Sequence, residues 1–82
     1  MNKREELIER LQDDERLTFA DGFDEAIIGT SYDSSSVVYS FSKAVDILRR
    51  DMKFEDALEH LYFNVLPNAG ENMPIWVMDN MF

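Results

Sequence analysis

The sequence contains no cysteine, and this absence excludes two common ways of stabilising a small domain. Without a thiol, the 82-residue chain can form neither a disulfide nor a cysteine-ligated zinc site. It also has no apolar run approaching about 18 residues, the length that suggests a membrane-spanning helix. Its N-terminus, Met-Asn-Lys-Arg-Glu-Glu, lacks the apolar stretch of a secretory signal. We therefore expect a soluble, cytoplasmic protein.

Basic residues are scarce. The chain has 8 Lys and Arg against 17 Asp and Glu, a formal net charge of −9. The acids form two blocks, one in residues 13–33 and one in residues 54–82, and the second block contains no Lys or Arg. A field of this sign argues against direct binding of nucleic acid or an anionic membrane, and it permits a basic protein partner without requiring one. Solubility alone is the simpler explanation of the charge.

The apolar pattern predicts a single α+β domain over residues 1–82, with the element order α-β-β-α-α-β. A first helix over residues 3–12 has only three apolar residues on one side, so residues 1–16 are expected to be peripheral to a core in 17–78. Alternation predicts strands at 26–32 and 37–41, joined as a hairpin, and a last strand at Ile75–Met78.

Two helices are predicted between the second and third strands. One begins after Ser42 as N-cap and ends near Met52. The next begins at Phe54 and repeats apolar residues at i, i+3, i+4, i+7, i+8 and i+11. The tight link between them predicts an αα-hairpin lying on one face of a three-stranded, mostly antiparallel sheet. Whether the last strand lies beside the first or the second strand is left open.

Three motifs stand in a distinctive order along the chain. They are Asp24-Glu25-Ala26-Ile27-Ile28-Gly29, then Phe63-Asn64-Val65, then Gly70-Glu71-Asn72 with Pro74-Ile75. In this order, over roughly residues 22–77, the chain resembles a family of small, uncharacterised proteins encoded by tailed phages and prophages. The resemblance implies the cytoplasm of an infected bacterium as the setting, and it implies no particular activity.

Reactive side chains for an enzyme are few. His60 is the only histidine, and Asp56 and Asn64 lie one helical turn away on either side, a spacing at which two side chains could share a metal ion. No strong third ligand is evident, so a solvated His–Asp pair is preferred. The serine run at 34–36 has no Gly-x-Ser-x-Gly elbow. We therefore predict a protein that is not an enzyme, with no catalytic, cofactor-binding or metal-binding residues.

Two features could bind another protein: the acidic block and the C-terminal strand. One helical layer cannot cover both faces of that strand, so either Ile75 and Val77 or Trp76 and Met78 should face outward, unless the first helix covers them. Because Trp and Met are enriched at interfaces, we favour the second pair. The predicted partner-binding residues are Asp13, Asp14, Asp21, Asp24, Glu25, Trp76, Met78, Met81 and Phe82.

Two functions are compatible with this pattern. The first is a small acidic protein of phage type that binds a basic surface on a host or defence protein and inhibits it. The alternative is a self-assembling structural protein, such as a homodimer, in which the last strand pairs edge to edge between copies.

Overall fold

The computed structural model describes residues 4–5, 17–33, 35–67, 70 and 72–79. Arg4 and Glu5 are helical, and the rest of the predicted first helix lies outside the described residues. The remaining elements follow the predicted order, and the α+β class is confirmed.

The sheet has three strands, β1 (Ile27–Thr30), β2 (Val37–Ser40) and β3 (Ile75–Val77). β1 and β2 form the predicted antiparallel hairpin, and β3 pairs with β2 in parallel. The sheet is therefore mixed, and its order β1-β2-β3 places the last strand beside the second. β3 can pair with β2 in parallel because two helices and a loop lie between the two strands. This is enough chain for the crossover connection that parallel pairing requires.

Serine and aspartate side chains hold the hairpin loop in place of a glycine turn. The Ser31 hydroxyl accepts hydrogen bonds from the Ser35 and Ser36 N–H groups at 3.2 and 3.1 Å, and Asp33 accepts one from Ser35 N–H at 3.1 Å. The backbone closes with Ser31 N–H donating to the Ser36 carbonyl at 2.9 Å. Side chains that bond nearby N–H groups can stabilise a turn without glycine.

The predicted αα-hairpin consists of α1 (Phe41–Leu48) and α2 (Phe54–His60), and α2 continues into a π-helical turn over Leu61–Val65. The N-cap of α1 is Ser40, whose hydroxyl accepts the Lys43 N–H at 3.2 Å, and the predicted cap Ser42 lies inside the helix. Since Ser40 also ends β2, strand and helix meet with no loop between them.

One hydrophobic core lies between the helices and one face of the sheet. Its fully enclosed side chains include Val37 and Tyr39 from β2, Phe41 and Val45 from α1, and Leu61 after α2. The Tyr39 hydroxyl accepts a hydrogen bond from Ala20 N–H at 2.7 Å, which ties the segment before β1 to the centre of the sheet. Burial raises the pKa of Tyr39, so its hydroxyl remains protonated at neutral pH.

Candidate partner-binding surface

The register between β2 and β3 decides which side chains of β3 face the core. Val38 lies opposite Ile75, Tyr39 opposite Trp76 and Ser40 opposite Val77. Because paired residues share a face and successive residues alternate, Trp76 belongs with Tyr39 on the core side. Ile75 and Val77 belong to the opposite face, called the outer face here.

Trp76 packs inward. Its ring stacks on Tyr39 with centroids 4.8 Å apart and meets the edge of Phe23 at 5.6 Å. The ring is partly buried against the core, and part of it lines a small cleft of about 120 Å³ beside Phe19 and Pro74. The expectation that Trp76 points away from the core is thus wrong, because the parallel register places it on Tyr39.

The outward pair is the other one considered, Ile75 and Val77. Ile75 is 42% exposed and Val77 is 38% exposed, and Val38 of β2 is half-buried between the other two strands. On β1 the residue opposite Val38 is Gly29, which has no side chain to cover it. We call Val38, Ile75 and Val77 the outer patch. Met78, a predicted site residue, follows it in the chain and is 43% exposed.

The chain order places one aspartate toward each end of the sheet. Asp33 is in the loop that precedes β2, at the end of the sheet where β2 and β3 begin, and Asp79 comes just after β3 at the opposite end. Hydrogen bonds from the hydroxyls of Ser35 and Ser31 lower the pKa of Asp33. Hydrogen bonds from the Ser40 hydroxyl and the Ser42 N–H lower the pKa of Asp79. Both groups are therefore anions at neutral pH.

Asp79 also fixes the position of β3. Its carboxylate accepts hydrogen bonds from Ser40 Oγ at 2.5 Å, Ser42 N–H at 3.0 Å and Ser42 Oγ at 3.1 Å. These donors belong to the first turn of α1 and its N-cap, where a negative charge is favoured by the helix dipole. A residue after β3 thus caps a helix that begins where β2 ends, and this contact aligns β3 with β2.

The predicted site residues Asp21, Asp24 and Glu25 lie on other elements, and cations of the same chain contact two of them. Glu25 Oε2 is 2.6 Å from Arg50 Nη2 just after α1, and Asp21 Oδ1 is 3.3 Å from Arg4 Nη1. Asp24 is half-buried in a 3₁₀ turn, Asp24–Ala26, that packs against α1. The structure does not join these acids to the outer patch. The predicted site residues Asp13, Asp14, Met81 and Phe82 lie outside the described residues.

The surroundings of His60 offer little for metal binding. Its Nδ1 is 3.4 Å from the Asn64 amide nitrogen, beside an open depression that Asp56 and Glu59 also line. Among the residues with described positions, no group of three or more His, Asp or Glu side chains is arranged to hold a metal ion. None of the helices in the same described ranges has the length and apolar character needed to cross a lipid bilayer.

Sequence reasoning missed three residues of this surface: Asp33, Val38 and Asp79. Asp33 was counted in the first acidic block but not chosen as a site residue, and Asp79 followed the last strand without any pattern linking it to Ser40. A signal does exist for the outer patch, since Ile75 and Val77 alternate with Trp76. Choosing the outward pair required the register with β2.

The chain was compared with family models, curated proteins and solved structures, and none of them matches it.

Proposed function

We propose that this protein is a non-enzymatic binding module whose outer patch binds a basic surface of another protein. The observation that carries the proposal is the outer face of the sheet, where Ile75 and Val77 are exposed and Asp33 and Asp79 lie toward opposite ends of the sheet. Exposed apolar side chains beside polar ones often mark interaction sites, so the exposure of Ile75 and Val77 favours a contact surface.

The two parts of the surface have different tasks in binding. Apolar side chains that become buried slow dissociation, and surface charges mainly raise the rate of encounter. Asp33 and Asp79 supply charge at the patch itself, and the net charge of −9 supplies a wider field of the same sign. A partner with lysines or arginines around an apolar centre complements both parts.

The identity of the partner class rests on the resemblance to small phage and prophage proteins. In that setting the partner is a host or defence protein of the infected bacterium, and covering its basic surface inhibits it. Many such surfaces bind nucleic acid, which an acidic protein can exclude by occupying the same cations.

The test is affinity capture from infected bacterial cells with the wild-type chain and two variants. Ile75→Asp adds a charge to the outer patch, and Phe63→Asp is the matched control because Phe63 is 74% exposed and lies outside the sheet. We expect a protein that is retained by the wild type and the control, is lost with Ile75→Asp, and elutes as salt is raised. Equal capture by all three chains, or retention that salt does not change, would contradict the proposal.

Self-assembly is the second candidate, and the exposed edge strand β3 is what favours it. Two copies meeting at the outer patch would also bring the same carboxylates together, which opposes association. Sedimentation of the purified chain at micromolar concentrations distinguishes the two: a monomer supports the binding module, and a stable dimer supports self-assembly.

A further inference from the structure

We infer that the partner binds as an extended segment that pairs with the open edge of β3 and places lysines or arginines near Asp33 and Asp79. This inference rests on the proposed function and specifies how the partner engages the surface. In the described part of the chain β3 pairs on one side with β2, and no strand pairs with its other side. The backbone N–H and C=O groups on such an edge are available to a further strand.

Of the two edges of the sheet, β3 is the better template. The register of β1 shifts between Ile27 and Gly29, a bulge that interrupts regular pairing. Bulges at an edge hinder the addition of another strand. β3 keeps an unbroken register with β2 over its three residues. Pro74 has no N–H to donate, so the backbone donors that β3 offers to an added strand begin at Ile75.

The side chains of β3 specify the apolar part of the added segment. A strand beside β3 places every second side chain on the outer face, next to Ile75 and Val77. Aliphatic residues at those alternate positions would cover the exposed parts of both side chains. The residues between them face the core side of the sheet edge, where part of Trp76 lines a cleft.

The negative charges of Asp33 and Asp79 indicate which residues the added segment should carry at its two ends. Asp33 and Asp79 are carboxylates whose pKa is lowered by hydrogen bonds from serines, and the chain has no Lys or Arg from residue 54 onward. A segment with cations at both ends would bring a positive charge toward each end of the sheet, where Asp33 and Asp79 lie. A second copy of β3 brings no cation, so the charges favour a heterologous segment over a homodimer.

Two synthetic peptides with blocked ends test the inference. Each alternates valine and threonine over five residues; one has lysines at both ends, and its control has glutamates there. Amide hydrogen exchange by NMR is measured for the full chain with each peptide. We expect the lysine peptide to slow exchange at least tenfold at β3 amides that exchange freely in the isolated protein. The glutamate peptide should leave them unchanged, and the lysine effect should fall as salt is raised.

Several outcomes would overturn the inference. They are protection elsewhere than β3, equal protection by both peptides, no protection by the lysine peptide at millimolar concentration, and protection of β3 that grows with protein concentration alone, which indicates a second copy. Failure of strand addition is distinguishable from failure of the proposed function. Suppose that Ile75→Asp abolishes capture of a cellular protein, but the β3 amides of the wild-type chain stay unprotected when that protein is bound. The binding module then stands, and strand addition is wrong.

Discussion

The two faces of β3 show how one short strand divides its residues between stability and recognition. Trp76 faces inward and its ring contacts Tyr39 and Phe23, whereas Ile75 and Val77 face outward with about two-fifths of their surface exposed. All three residues are large and apolar, so composition does not separate them. What separates them is the register with β2, and therefore the position of the strand in the sheet.

The comparison also shows what holds so short a strand in place. β3 has three residues, and besides its pairing with β2 it makes side-chain contacts at two points. The stacked Trp76 anchors its centre, and Asp79 anchors its end through the hydroxyls of Ser40 and Ser42. On the outer face Ile75 and Val77 keep about two-fifths of their surface exposed, so we expect substitutions there to cost less stability than at Trp76. The following predictions test this division, beginning with the largest effect.

Removing the inward ring should have the largest effect on stability. Trp76→Ala deletes a large side chain packed on the core, and we expect the free energy of unfolding to fall by about 3 kcal/mol. Chemical denaturation measures the loss. A change below about 0.5 kcal/mol would show that the ring contributes little to the core, and that the two faces do not differ as described.

Removing the hydroxyl that joins β2, α1 and Asp79 should have the next largest effect. Ser40 is fully buried and both caps α1 and donates to Asp79, so Ser40→Ala should lower the free energy of unfolding by about 2 kcal/mol. Ser42→Ala is the control, because Ser42 keeps its backbone N–H bond to Asp79 and should cost less. Equal losses in the two variants would rule out this role for Ser40.

Low pH should weaken the hydrogen bonds that the Asp79 carboxylate accepts from Ser40 and Ser42. The pKa of Asp79 is lowered in the folded chain below its ordinary value of 3.8. Its contribution to stability is therefore complete above 3.8 and is lost as pH falls through the lower folded pKa. The melting temperature of Asp79→Asn should be below that of the wild type at neutral pH, and the difference should shrink under acid conditions. A difference that is constant down to pH 2 would contradict this role.

A conservative change on the outer face should have the smallest effect. Val77→Thr keeps the branched shape and strand preference, and the side chain is partly exposed, so the free energy of unfolding should change by no more than about 0.5 kcal/mol. Thermal unfolding measured beside Trp76→Ala checks it. A loss similar to that of Trp76→Ala would show that the outer face is part of the core packing.

The sequence supported the fold better than the surface, for physical reasons. Periodicity reports which side of an element is apolar, and it located both helices, both hairpin strands and the last strand to within a few residues. It does not report which strand becomes a neighbour, so the parallel pairing with β2 remained open. Without that pairing the alternation at Ile75, Trp76 and Val77 could be assigned to the faces in two ways, and we favoured the wrong one.

Contacts between residues far apart in the sequence could not be predicted either. Asp79 and Ser40 are 39 residues apart, and nothing in the local pattern of either predicts their hydrogen bond. The acidic block was visible as a charge run, but the structure shows that Arg50 and Arg4 contact Glu25 and Asp21. Asp33 and Asp79, toward opposite ends of the sheet, come one from each acidic block.

The most direct test of the account measures unfolding and binding together for Ile75→Asp. If the outer patch serves recognition, this variant should unfold within about 1 kcal/mol of the wild type and lose at least tenfold in affinity for the captured partner. Phe63→Asp should match the wild type in both measurements. An Ile75→Asp chain that binds the partner as tightly as the wild type would contradict the central claim, and so would one that fails to fold.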